Sequence, residues 1–102
     1  MRNLPISGEK LAQFCHKYQI SELSLFGSAL RADFNTESDL DFLVTFLPQA
    51  DWSLFDHISM EGELSDLFGR RVDLVSKRAL ERSKNWLRRQ EILESAEVIY
   101  AA

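Results

Sequence analysis

The sequence contains one cysteine, Cys15, among 102 residues. A lone thiol cannot close an internal disulfide, which excludes a disulfide-framed secreted scaffold and removes any need for an oxidising compartment. Two prolines and four glycines are too few for a collagen-like or low-complexity chain. A hydrophobic content of 45% is too high for a disordered one. Long apolar runs are also missing: Phe42 to Leu47, with Thr45 counted in, is about a third of a bilayer span. Residues 1–6 hold one arginine and no apolar stretch of signal-peptide length. The expectation is one soluble, cytoplasmic domain over residues 1–102, with a single core and no membrane association.

Twelve Lys and Arg against sixteen Asp and Glu give a net charge of −4, the wrong sign for a chain that coats nucleic acid, and no direct nucleic-acid binding is expected. A local absence is more informative. Between Asp33 and Asp66 there is no Lys or Arg but nine acids, whereas Arg70 to Arg89 holds eight bases and two acids, Asp73 and Glu81. One pole suits cations, the other anions or an acidic partner. Two solvated faces of opposite sign account for the segregation equally well.

Ser7 is a fitting N-cap, and Leu11, Phe14, Cys15 and Tyr18 recur at helical spacing, so a helix is expected over residues 8–19. Leu23, Leu25 and Phe26 form a short strand that stops at Gly27-Ser28. Leu40 to Leu47, ended by Pro48, reads as a buried strand. Asp51 is the expected cap of a helix reaching Phe68, with Gly69 as its stop. The apolar residues of that helix lie on two meridians, Leu54, Phe55 and Ile58 against Met60, Leu64, Leu67 and Phe68, which points to a kink near Gly62. Arg71 to Ser76 is a third strand. Asn85 to Glu97 reads as a last helix with Trp86, Leu93 and Ala96 inward, and Val98 to Tyr100 as a closing strand. The order αβαβαβ calls for an α/β (α+β) fold, a small mixed sheet of three to four strands flanked by helices.

The chemistry concentrates in Leu25-Phe26-Gly27-Ser28-Ala29-Leu30-Arg31 and in Ser38-Asp39-Leu40-Asp41-Phe42-Leu43-Val44. Side chains alternate along a strand, so Asp39 and Asp41 share a face while Leu40 and Phe42 take the other. Asp73 likewise opposes Val72 and Leu74. If the two strands are neighbours, three carboxylates converge, an arrangement tolerated mainly when cations neutralise it. An all-oxygen donor set suits Mg²⁺, and a pair of such ions is the usual clamp for in-line displacement at phosphorus. Gly27 lets backbone approach a phosphate, and Ser28 and Arg31, three residues apart, reach the same side of a helical turn. Either pair alone is common by chance. Gly-Ser and Asp-x-Asp at this one spacing are expected in roughly two random chains of this composition per thousand.

With these residues in place, the chain resembles the DNA polymerase β-like nucleotidyltransferase superfamily. It is most similar to the minimal nucleotidyltransferases, small prokaryotic proteins often paired with a helical HEPN partner as toxin and antitoxin. The likeness rests on residues 20–76 by motif and on the whole chain by size. It implies a nucleotidyltransferase-like fold in which Asp39 and Asp41 hold the metal accompanying the nucleoside triphosphate. Asp41 and Asp73 would hold the metal that activates an acceptor hydroxyl, and Ser28, with Gly27 and Arg31, would bind the phosphates. The implied reaction moves AMP from ATP, with two Mg²⁺ ions, onto a tyrosine of a HEPN-type ribonuclease toxin. Ala29 and Ala32 depart from the family pattern, where a basic residue and a glycine are frequent; neither position is a metal ligand.

Plainer roles stand beside these. Asp39 could cap a turn and Asp41 sit on an exposed edge; Asp73 could pair with Arg70 or Arg71, and Arg31 with Asp33 or Glu37. Asp33 could stabilise a turn. Cys15 and His16 face about 100° apart on a helix, wrong for one metal, so a half-buried thiol and a surface imidazole are expected. His57 has no companion ligand at useful spacing. Trp86 reads as a core or interface anchor, and Lys77 to Arg89 as a solvated face. At the level of function, the alternative to the enzyme is a binding module that neutralises its partner by occlusion. A homo- or hetero-oligomer is compatible with either.

Overall fold

The computed structural model describes residues 7–26 and 40–102. Their elements run α1 (Gly8–Lys17), β1 (Ile20–Phe26), β2 (Leu40–Phe46), α2 (Leu54–Phe68), β3 (Val72–Ser76), α3 (Lys77–Glu81), α4 (Trp86–Ser95) and β4 (Glu97–Ala101). The strands form one sheet in the order β3-β2-β1-β4. β1 pairs antiparallel with both β2 and β4, while β2 and β3 are parallel and joined through α2. The sheet is therefore mixed, four-stranded and flanked by helices, as the sequence leads one to expect. Among the described residues no helix is long and apolar enough to cross a membrane.

Local chemistry accounts for most boundaries. Ser7 Oγ accepts the Lys10 N–H and starts α1. The chain leaves α1 through Gln19, held at φ 55°, a left-handed conformation that costs a residue with a Cβ about 1 kcal/mol. The Gln19 carbonyl then accepts the Leu47 N–H at 2.7 Å. α2 begins two residues later than expected. Its cap is Ser53, not Asp51: Ser53 Oγ accepts the Asp56 N–H while Asp56 Oδ2 accepts the Ser53 N–H, a reciprocal pair that satisfies two orphan donors at once. Gly69, at φ 67°, ends the helix as expected.

No break occurs at Gly62. α2 is continuous, and its two apolar meridians have different environments: Met60, Leu64 and Phe68 are buried, whereas Leu54, Phe55 and Ile58 are exposed. α3 has no counterpart among the expected elements. It is five residues long, capped by Ser76 Oγ on the Ala79 N–H, and buries only Leu80, too short a helix to show a period. α4 is rolled from the expected orientation. Ile92 points inward, while Trp86 and Leu93 face solvent at 58% and 43% exposure; Ala96, beyond the helix, is half-buried.

Alternation sorts the strand residues onto two faces. Leu23 and Leu25, with Leu40, Phe42 and Val44, and Val72 and Leu74, join Leu11, Phe14 and Cys15 of α1 and Met60, Leu64 and Phe68 of α2 in the main core. Phe26 and Leu43 turn to the opposite face and pack with Leu80 and Ile92. A bulge in β4 sets Leu23 opposite Tyr100 and Ser24 opposite Val98. Ile99 and Tyr100 both join the main core in consequence. A ring of contacts ties α1 to α2. Tyr18 Oη donates to Glu63 at 2.7 Å, Lys17 pairs with the same carboxylate at 3.2 Å, and the Trp52 indole N–H donates to the Tyr18 carbonyl at 2.8 Å. Burial, then the bond to Glu63, raises the Tyr18 phenol above its ordinary value. Cys15 is not half-buried but fully enclosed, and burial pushes its thiol up to about 12. His16 is exposed, as expected.

Candidate active site

Asp41 and Asp73 are direct partners across the parallel β2–β3 ladder. Leu40 and Phe42 flank Asp41, Val72 and Leu74 flank Asp73, and all four neighbours are buried in the main core, so both carboxylates leave the sheet on the other face. Strands pair at about 4.8 Å, which sets the two acids side by side. The ladder starts at their level, where the Leu40 N–H donates to the Arg71 carbonyl at 3.0 Å. Asp41 is half-buried and Asp73 exposed. On its other side Asp41 faces Phe26, the last residue of β1, and the apolar cluster of Phe26, Leu43, Leu80 and Ile92 continues that face away from the acids. The pair therefore stands at the margin of an apolar floor.

Gly27, Ser28, Arg31 and Asp39 lie outside the described residues, as do Ala29, Ala32 and Asp33. β1 ends immediately before Gly27 and β2 begins immediately after Asp39, and those two strand ends are neighbours in the sheet. Among the described residues no ion pair joins Asp73 to Arg70 or Arg71, and no cluster of three or more His, Cys, Asp or Glu could hold a metal. The third carboxylate expected of the site, Asp39, falls outside that set. Two in-register carboxylates presenting only oxygen are a suitable partial donor set for a hard divalent ion.

Two positioning residues have no recognisable motif in the sequence. β3 is an edge strand, and its outward backbone groups at Leu74, next to Asp73, are taken by α2: the Leu74 N–H donates to Glu61 Oε2 at 2.9 Å, and the His57 Nε2–H donates to the Leu74 carbonyl at 2.7 Å. A carbonyl can only accept, so this bond requires the proton on Nε2. His57 has a structural companion in Glu61, one helical turn on. Their spacing is the only signal in the sequence, and it acquires meaning only once an edge strand lies beside them. A cleft of about 400 Å³, lined among others by Thr45, Trp52, His57, Lys77 and Arg78, lies at the far end of β2 and β3 and includes neither acid.

A mixed sheet that carries paired carboxylates on adjacent parallel strands, beside the end of an antiparallel one, has the form of a nucleotidyl-transfer fold. The chain belongs to the nucleotidyltransferase domain family, whose model matches residues 9–99. It is 39% identical over 66 residues to the protein adenylyltransferase MntA of Thermococcus cleftensis, an alignment covering 63% of each chain. The chain thus spans less than two thirds of the length of the curated relatives it matches. A solved structure provisionally described as a minimal nucleotidyltransferase shares 32% identity with a TM-score of 0.66, covering 87% of this chain and 85% of the other. The fold is also that of the MNT antitoxin complexed with a tri-AMPylated HEPN toxin of Shewanella oneidensis, at a TM-score of 0.61 and 17% identity, over 92% of this chain and 69% of that one.

Proposed function

We propose that this chain is a cytoplasmic, Mg²⁺-dependent protein adenylyltransferase. It transfers AMP from ATP to a hydroxyl, a tyrosine of a partner HEPN ribonuclease toxin, and acts as that toxin's antitoxin. The observation that carries the reading is the side-by-side placement of Asp41 and Asp73 on one face of adjacent parallel strands. The adenylyltransferase name of the relative from Thermococcus cleftensis supports the reaction class. The tri-AMPylated toxin held by a neighbour of the same fold supports the partner.

In this reading Asp39, Asp41 and Asp73 would hold the Mg²⁺, which neutralises charge on the triphosphate when bound. Gly27, Ser28 and Arg31 would bind the phosphates, the serine by its hydroxyl and the arginine by its guanidinium. The Asp41–Asp73 pair orients the acceptor oxygen toward the α-phosphorus. A bond forms between those atoms, the α–β anhydride bond breaks, pyrophosphate leaves and the hydroxyl proton is released to solvent. The apolar floor of Phe26 and Leu43 keeps one wall of the site dry, where electrostatic steering is strongest.

The test is intact-mass measurement of a HEPN partner co-produced with this chain and incubated with ATP and Mg²⁺. The expected result is a mass gain of whole adenylyl units, abolished in the Asp39→Asn/Asp41→Asn double variant together with neutralisation of toxicity. An unmodified partner that is still neutralised by the double variant would overturn the enzyme reading in favour of occlusion.

A further inference from the structure

The outer edge of β3 borders a hollow that the proposed reaction does not yet use. It holds about 420 Å³ and is lined, among others, by Trp52, Leu54 and His57, by Leu74 and Val75 of β3, and by Ala79 of α3. No Asp, Glu, Lys or Arg is among its described lining residues, which suits an apolar visitor over a charged one. Leu54 is 73% exposed and Ala79 is exposed, so both walls can be reached from solvent. Leu74 is the residue after Asp73. Val75 takes the same face of the sheet as Asp73: it stands opposite Leu43 in the ladder and packs with the apolar cluster of Leu43. The hollow therefore opens about 7 Å along the strand from Asp73, at 3.3 Å per residue.

A strand added to this edge is not a suitable occupant. The Leu74 N–H already donates to Glu61 at 2.9 Å, and the Leu74 carbonyl already accepts from His57 at 2.7 Å. The outward backbone groups next to Asp73 are thus spent. A visitor here binds by burying a side chain, not by extending the sheet.

Strand order decides which reactant the hollow serves. β1, whose end leads into Gly27, is two strands from β3, with β2 and Asp41 between them. In the reaction proposed above the phosphates belong to the β1 side, with Gly27, Ser28 and Arg31. The hollow is on the other flank of the acids, at the sheet edge beside Asp73. In-line displacement brings the acceptor oxygen to the α-phosphorus from the side opposite the leaving pyrophosphate, which is the β3 side. Given that reaction, on which the assignment rests, we infer that the hollow is the acceptor-recognition subsite. It takes an apolar side chain, aliphatic or aromatic, from the protein segment that presents the acceptor hydroxyl to Asp41 and Asp73. Leu54, Val75 and Ala79 touch that side chain and not the reacting atoms, so they select which hydroxyl reaches the acids.

Steady-state transfer from ATP to the HEPN partner, followed by intact mass, tests this with the full chain and two variants. Leu54→Ser removes a wall of the hollow, and Ala79→Gln fills it. Each should raise KM for the partner about tenfold, while kcat and the KM for ATP stay within about twofold of wild type, the pattern of lost ground-state binding. Phe55→Ser, at a position 81% exposed and outside the lining, should match wild type. An unchanged partner KM in either variant that remains folded, a change confined to kcat or to the KM for ATP, or an equal rise in Phe55→Ser would overturn the subsite and leave the reaction standing. No transfer by the wild type would overturn the reaction, and the subsite with it. Should a substitution misfold by circular dichroism, photocrosslinking from benzoylphenylalanine placed at Leu54 decides. The expected crosslink is to the partner peptide that carries the adenylylated residue; crosslinks only to other peptides, or none, refute the subsite.

Discussion

Replacing Glu61 by alanine removes the carboxylate that receives the Leu74 N–H at 2.9 Å and leaves that donor unsatisfied on the outer edge of β3. A hydrogen bond to a charged group contributes about 1.5–3 kcal/mol net, and an orphaned donor costs a similar amount. The bond is part-buried, so water can replace some of it, and a loss of about 2 kcal/mol is expected. For a domain of this size that corresponds to roughly 8–16 °C in Tm. Glu61→Gln keeps an acceptor oxygen and loses only the charge, so it should recover about half of the deficit. Because Leu74 follows Asp73, loosening this edge also disturbs the register of Asp73 against Asp41. The proposed adenylyl transfer should therefore fall in Glu61→Ala at temperatures where the chain remains folded. Urea unfolding at constant m gives the stability, and hydrogen exchange of the Leu74 amide locates the effect. An alanine variant within about 0.5 kcal/mol of wild type, or unchanged protection at Leu74, would refute the reasoning.

Asp73→Asn changes an exposed carboxylate and should leave stability within about 0.5 kcal/mol while lowering the proposed transfer by about 10²–10³-fold. Adding Asp41→Asn should cost little more if the two acids act as a unit, as rates of the single and double variants will show. Phe42 is fully buried with its ring 5.2 Å from that of Phe68; Phe42→Ala should destabilise by about 3–5 kcal/mol in denaturant titration. The Cys15 thiol sits at about 12 in the folded chain against an ordinary 9.0. Its contribution is fully present above the folded value only as a penalty: between pH 9 and 12 the unfolded thiol ionises while the folded one cannot, so stability falls with rising pH across that window. Alkaline unfolding midpoints should fall less steeply in Cys15→Ala, and the native thiol should resist alkylation. Gln19→Gly relieves a positive φ and should stabilise by up to about 1 kcal/mol in the same assay.

Features that depend on near neighbours in the chain are legible from the sequence. Ser7 as a cap, Gly69 as a stop, the alternation that hides Leu40 and Phe42, and the acids of β2 and β3 all follow from rules acting over a few residues. Where two local rules compete, the stronger geometry wins: Ser53 with Asp56 satisfies two donors, and Asp51 yields the cap. The elements that mislead are those with too little apolar signal. α3 buries one residue, and α4 buries Ile92 rather than Trp86, because the roll of a weakly patterned helix is set by the surface it lands on.

What the chain decided by itself was the alphabet of the site: which acids occur, at which strand positions, and which face each must take, since a two-residue period leaves no choice once Phe42 and Leu74 are buried. Only the tertiary structure decided that β2 and β3 are parallel neighbours in a register that sets Asp41 against Asp73. It also decided that β3 is an edge strand braced by His57 and Glu61, and that one apolar meridian of α2 faces outward. Strand order, register and helix roll are set by contacts between residues far apart in the chain, and no local pattern encodes them.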